Sequence, residues 1–200
     1  MNAVAMSSGS RIARLLEQAP GDPLRDAYEQ LIRARYAEVH GAQLLQFMPQ
    51  LLGYVDAADR PLAVLGYRGA SAGRLFLEQY LDAPIERALA QRGESAGPVQ
   101  RLDRRRIVEV GNFVGCDRSA TAELVRRLPE FLVRAGFEWL VFTGTRRVCE
   151  LVASFGAPLV DLGGADATRL RDSTDRWGRY YETAPRVMAG WLGHCARVAA

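Results

Sequence analysis

The sequence contains no lysine; its 26 basic residues are all arginine. This excludes a lysine Schiff base, a lysine general base and the lysine of a phosphate-binding P-loop. Histidine is scarce too, with His40 and His194 alone. Neither has a metal ligand at helical spacing, so no metal site is expected. Cys116, Cys149 and Cys195 are odd in number and far apart. They form no disulfide or metal framework, and a reducing cytoplasm is the expected location. No apolar run approaches the roughly 18 residues of a membrane span. The start, "MNAVAMSSGSR", lacks the basic-then-apolar order of a secretion signal. No serine sits in a GxSxG elbow, so a hydrolase triad has no starting point.

What remains is ordinary for a globular chain of 200 residues, with 48% apolar and 24% charged residues. A chain of this length buries a core without staples. The net charge is +3, and the arginines are scattered apart from Arg104-Arg105-Arg106. That run is too short to point to nucleic acid. Residues 1–21 read as an irregular N-terminal segment, with a short amphipathic piece around Arg11–Gln18. Residues 22–200 read as a single domain.

From Asp22 the pattern turns helical. Asp22 is placed to cap and Pro23 suits a first turn. Leu24, Ala27, Tyr28, Leu31, Ile32 and Tyr36 then follow a 3–4 spacing up to a stop at Gly41. Leu51–Val55 and Leu62–Tyr67 are β-like runs joined by the polar turn "DAADRP", an antiparallel hairpin. "RLFLEQYLDAPIERALAQRG" is helical on both sides of Pro84. Ile107–Val114 is the clearest strand, followed by a helix from about Ser119 to Arg134 that Pro129 should bend. Trp139–Thr143 is a strand, Arg146–Phe155 a helix, Pro158–Leu162 a short strand, and "APRVMAGWL" a last strand. A helix between strands 107–114 and 139–143 implies that they run parallel. The fold class is α/β (α+β), a mixed and mostly antiparallel sheet with one parallel β-α-β pair and helices on both faces.

Alternation along the central strand puts Ile107, Glu109, Gly111 and Phe113 on one face, with Val108, Val110, Asn112 and Val114 on the other. A carboxylate on such a strand is costly unless it is paired or functional. Glu109 is therefore either half of a structural ion pair or a general base or substrate anchor. Gly111 leaves room for something to approach. "VGCDRSATAEL" opens the next helix, where free N–H groups and the helix dipole favour an anion. Plain N-capping by Ser119 or Asp117 explains the same residues. Cys116 lacks a histidine near it in sequence and reads as incidental. Glu78 is embedded among Leu75, Phe76, Leu77 and Leu81, which a solvated helix face does not explain. Tyr80, Asp82 and Glu86 flank it, and Trp177, Tyr180 and Tyr181 form an aromatic cluster suited to a core or a pocket wall.

"FMPQLLGYVDAADRPLAVLGYRGA", "LFLEQYLDAPIE", "RRIVEVGNFV", "WLVFTGT" and "WGRYYETAPRVMAGW" resemble the thermostable hemolysin family over about residues 24–192. The element order is also similar to the GNAT acyltransferase fold, and within it to acyl-homoserine lactone synthases. That resemblance implies a donor thioester, acyl-CoA or acyl carrier protein, lying between two splayed parallel strands. Carried onto this chain, Asn112, Phe113 and Val114 would be the strand edge. Gly115, Arg118, Ser119, Ala120 and Thr121 would hold the phosphate end, and Thr143 the opposite wall. Glu109 or Glu78 would deprotonate a small amine acceptor held near Tyr80, Glu86 and Tyr181. The family's loop reads Q/R-x-x-G-x-G/A, and "GCDRSA" lacks its second glycine, which counts against ordinary acetyl-CoA binding. A carrier-protein donor, a non-catalytic acyl-binding module and a membrane-active hemolysin remain as alternatives. The last is disfavoured by the lack of a long alternating amphipathic hairpin.

Overall fold

The computed structural model describes residues 14–92, 102–154, 158–170 and 175–193. His194, Cys195, Phe155 and most of the N-terminal segment lie outside the described residues. Seven strands form one sheet: β1 (Arg14–Gln18), β2 (Gln50–Val55), β3 (Pro61–Gly69), β4 (Ile107–Gly115), β5 (Trp139–Gly144), β6 (Leu159–Gly164) and β7 (Arg186–Trp191). Their order is β1-β2-β3-β4-β5-β7-β6. Every neighbouring pair is antiparallel except β4 and β5. Among the described residues the helices are α1 (Arg25–His40), α2 (Ile85–Ala90), α3 (Arg118–Arg134) and α4 (Arg146–Ala153).

The sheet is covered on both faces because its strands alternate. Leu52, Leu65, Val108 and Val110 pack on Leu124, Leu128 and Leu132 of α3. Leu51, Val55 and Val64 point the other way, onto Tyr28 and Ile32 of α1. Ile107, Trp139, Val141 and Val187 pack on Leu77, Ile85 and Leu89. α3 is the crossover that makes β4 and β5 parallel, and it runs through Pro129 to Arg134.

Three expectations are corrected. Residues 14–18 are not irregular; they form edge strand β1, antiparallel to β2. Their alternation is too short to separate a strand from an amphipathic turn without the partner strand. Asp22 does not cap α1; its carboxylate accepts the Ala19 N–H (2.7 Å), and Leu24 at the cap donates to Gln18 Oε1 (2.9 Å). The facing of β4 inverts near its end. Val64 pairs with Val114 but Gly66 pairs with Gly111, so β4 carries one extra residue there. Asn112 absorbs it at φ +50, in the left-handed region, and its Oδ1 accepts the Met48 N–H (2.8 Å). This β-bulge turns Phe113 to the α3 face and Val114 to the α1 face. The other odd residue, Gly111, makes room for the chain itself, since a Cβ there would lie 2.9 Å from the Met48 methyl.

Candidate active site

β4 and β5 pair only from Ile107↔Trp139 to Val110↔Phe142. Beyond that point β4 stays on β3, while Thr143 and Gly144 stay on β7. The sheet divides there, and a cleft of about 1130 Å³ opens in the division. On one face it is walled by Val125 and Leu128 of α3 and by Val148 and Val152 of α4. On the other it is walled by Tyr36 and His40 of α1 and by Tyr180. Since α1 and α3 lie on opposite faces, the cleft passes through the sheet. Asn112, Phe113, Val114, Gly115, Thr121 and Thr143 all line it. Thr143 Oγ1 is buried and lacks a hydrogen bond among the described residues. A buried hydroxyl without a partner is costly, so it invites a polar atom of a ligand.

The other anticipated site residues lie away from the cleft. Arg118, Ser119 and Ala120 are off its wall, because α3 meets the cleft from Thr121 onward. The amides before α3 are occupied within the chain. Cys116 N (2.9 Å) and Asp117 N (3.2 Å) both donate to the Leu62 carbonyl of β3. The Asp117 carboxylate caps the helix by accepting the Ala120 N–H (2.8 Å). An anion at this helix start would face a carboxylate.

Glu109 is 3% exposed and faces away from the cleft. Its two oxygens accept the N–H groups of Phe76 and Leu77, each at 2.8 Å. Burial pushes its carboxyl up to about 7, against the pull of those two amides. In place of the ion-pair partner expected of a structural carboxylate, it holds the start of the 3-10 turn Phe76–Gln79. Glu78, 4% exposed, accepts from Leu75 N, Ile85 N and both terminal nitrogens of Arg104, at 2.8–2.9 Å. Arg104 also bonds Glu86 (2.7 Å), which places Glu86 in the same ion cluster. Burial opposes ionisation of Glu78, but Arg104 and the two amides together hold its carboxyl below the ordinary range. Both carboxylates therefore clamp the 70–85 segment to β4 and to Arg104.

Tyr80 and Tyr181 share a 2.5 Å hydroxyl contact behind the cleft wall rather than in it. Burial pushes the phenols of Tyr36 and Tyr181 up to about 12, so both stay protonated near neutrality. Tyr180 lines the wall, one of the two places its aromatic cluster suited; the wall-forming residues that sequence reading assigned elsewhere are Tyr36 and His40. Tyr36 and His40 are four apart, hence on one face of α1, which was the available signal. The His40 ring lies 5.8 Å from that of Tyr36 and 5.2 Å, edge to face, from that of Tyr180.

A seven-strand mixed sheet with one splayed parallel pair is the fold of GNAT-like acyltransferases. Solved structures bear this out. The acyl-homoserine lactone synthase LasI superposes with a TM-score of 0.56 at 13% identity, over 90% of this chain and 89% of that one. A CoA-dependent acyl-homoserine lactone synthase, BjaI, solved with SAM and isopentyl-CoA, gives 0.55 at 13% identity, over 90% and 83%. FeeM, an N-acyl amino acid synthase from uncultured soil microbes, gives 0.51 at 14% identity, over 92% and 94%. The chain belongs to the thermostable hemolysin family, which it matches over residues 18–196. No curated protein is significantly similar to it in sequence. Among the described residues no helix is long and apolar enough to cross a membrane.

Proposed function

We propose that this protein transfers an acyl group from a pantetheine thioester to the amine of a small acceptor. The observation that carries this reading is the division of β4 from β5 into an apolar cleft that passes through the sheet. The β4 edge at Asn112–Val114 no longer pairs with β5, so it suits the amides of a pantetheine arm and the thioester carbonyl. On the α3–α4 side the apolar stretch formed by Val125, Leu128, Val148 and Val152 suits the acyl chain. On the α1 side Tyr36, His40 and Tyr180 suit the acceptor. Glu109 and Glu78 serve this site as positioning residues, by fixing the segment under β4. A hemolytic phenotype then follows from an amphiphilic acyl product rather than from a pore.

The donor that fits best is an arm carried on an acyl carrier protein. Coenzyme A would bring a diphosphate to the start of α3, where the Cys116, Asp117 and Ala120 amides are engaged and the Asp117 carboxylate repels it. Arg146 and Arg147 at the cleft mouth suit an acidic carrier surface. The test compares non-hydrolysable S-octyl-pantetheine and S-octyl-CoA by calorimetry. It also follows octanoyl transfer from pantetheine, CoA and carrier-protein thioesters to α-amino acids by mass spectrometry. Asp117→Asn keeps a good cap. It is expected to strengthen S-octyl-CoA binding about 2- to 5-fold, the range for one charge at a helix start, and to leave S-octyl-pantetheine binding unchanged. Failure of every thioether to bind would overturn the acyl-transfer reading.

A further inference from the structure

We infer that His40 is the catalytic base of this site, taking the proton from the acceptor's ammonium group. The inference rests on the acyl-transfer reading above and names the group that chemistry requires. An ammonium is not a nucleophile; it must lose a proton before it attacks a thioester. The charged groups lining the cleft are Arg35, Arg126, Glu130, Arg134, Arg146 and Arg147. Guanidinium groups do not accept protons. Glu130 lies on the acyl-chain side and is bonded to Arg134 (2.7 Å). The phenols of Tyr36 and Tyr180 hold their protons, since burial raises both. Glu109 and Glu78 face away, with their oxygens engaged. His40 is the described lining residue that offers a lone pair on the acceptor side, and its ring nitrogens make no hydrogen bond among the described residues.

The ring is held where the reaction would occur. His40 ends α1, and its carbonyl accepts the Arg179 N–H (2.8 Å). Gly178, at φ +53, packs so tightly on that carbonyl that a Cβ would lie 2.1 Å from its oxygen. The Tyr180 ring stands against the imidazole, and its hydroxyl donates to the Thr143 carbonyl (3.5 Å) at the point where the strands separate. The ionisable groups packed around the ring are Tyr36 on its own helix, and Tyr180 and Arg179 from the facing segment. Burial first, and then the Arg179 charge, lower the imidazole below its ordinary value and so favour its neutral, proton-accepting form.

The step balances. The ammonium gives one proton to the imidazole. The free amine forms a C–N bond to the thioester carbonyl carbon. The tetrahedral oxyanion collapses, the C–S bond breaks, and the thiolate takes the second amine proton. The products are an amide and a thiol, and His40 returns its proton to water.

His40→Asn and His40→Gln keep the backbone contacts and remove the base. Transfer from octanoyl-pantetheine to α-amino acids at pH 7 is expected to fall about 10²- to 10⁴-fold. Transfer to hydroxylamine, which is largely unprotonated at neutral pH, should change less than about 3-fold, and imidazole should restore part of the lost rate. The acid limb of kcat/KM, placed below 6.5 in the wild type, should disappear. S-octyl-pantetheine binding and thermal unfolding serve as controls for the site and the fold. A variant that keeps both its amino-acid transfer and the acid limb would overturn the role of His40. A wild-type protein that binds no pantetheine thioether would instead overturn the acyl-transfer reading, and this inference with it.

Discussion

Arg104→Met is expected to destabilise the protein by about 3–5 kcal/mol, the range for removing one partner of a buried ion pair. Glu78 is 4% exposed, and its companions Leu75 N and Ile85 N do not neutralise it. Arg104 also bonds the carbonyls of Ala70 (2.9 Å) and Gly73 (2.8 Å) and the Glu86 carboxylate. One guanidinium thus ties the 70–73 turn, the 3-10 turn and the start of α2 to the chain before β4. Urea unfolding checks this: with an m-value of about 2–3 kcal/mol/M, the midpoint should fall by about 1.5 M. The double variant with Glu78→Gln should cost less than the sum of the single variants, because the uncompensated charge is then gone. The acid response has a defined sign. Glu78 titrates below its ordinary 4.5 in the folded chain, so its contribution is present above that pH and is lost as pH falls through the folded value. Wild-type protein should lose that part of its stability below pH 4.5, and Arg104→Met should have little of it to lose.

The part of this molecule that depends on local pattern was legible in the sequence. The α1 spacing, the 51–67 hairpin and the β4–α3–β5 crossover each follow from periodicity and turn chemistry. The division of the sheet was legible only through resemblance, because nothing within β4 or β5 says where their pairing stops. Asn112 shows the limit well. Strict alternation assigned Phe113 and Val114 to the wrong faces, since a single left-handed residue shifts the period and sequence offers no count of the partner strand. The two acids drew notice because a carboxylate among apolar residues is costly, and both are buried. Their partners were out of reach: Glu109 is answered by backbone N–H groups 32 and 33 residues away, which no side-chain inventory reveals. His40 was weighed only as a metal ligand, and its place on the cleft depends on the facing 177–183 segment.

Glu109 should have a pH signature of the opposite sign, in a separate window. Its folded carboxyl titrates at about 7 instead of 4.5, burial being the main cause. A raised acid stabilises the fold most where it is protonated, below 4.5, and that contribution is lost as pH rises through about 7. The loss amounts to about 3 kcal/mol across the window. Glu109→Gln keeps the volume and removes the titration. The urea midpoint of the wild type, measured against that of Glu109→Gln from pH 4.5 to 7.5, should therefore fall steadily. A relative rise over the same range would mean that the Phe76 and Leu77 amides outweigh burial. Glu109→Ala is a harsher change, because it leaves both N–H groups buried without an acceptor, at about 1–3 kcal/mol each. Its cost should be nearly independent of pH above about 8.5, where the wild-type carboxylate is ionised and bonded to both amides. Taken together, the two acids pull in opposite directions on either side of pH 4.5: Glu78 with Arg104 loses its grip as pH falls below it, and Glu109 loses its own as pH rises above it toward 7. The segment beneath β4 is thus held most tightly near pH 4.5, and the geometry of the cleft above it should be best maintained there.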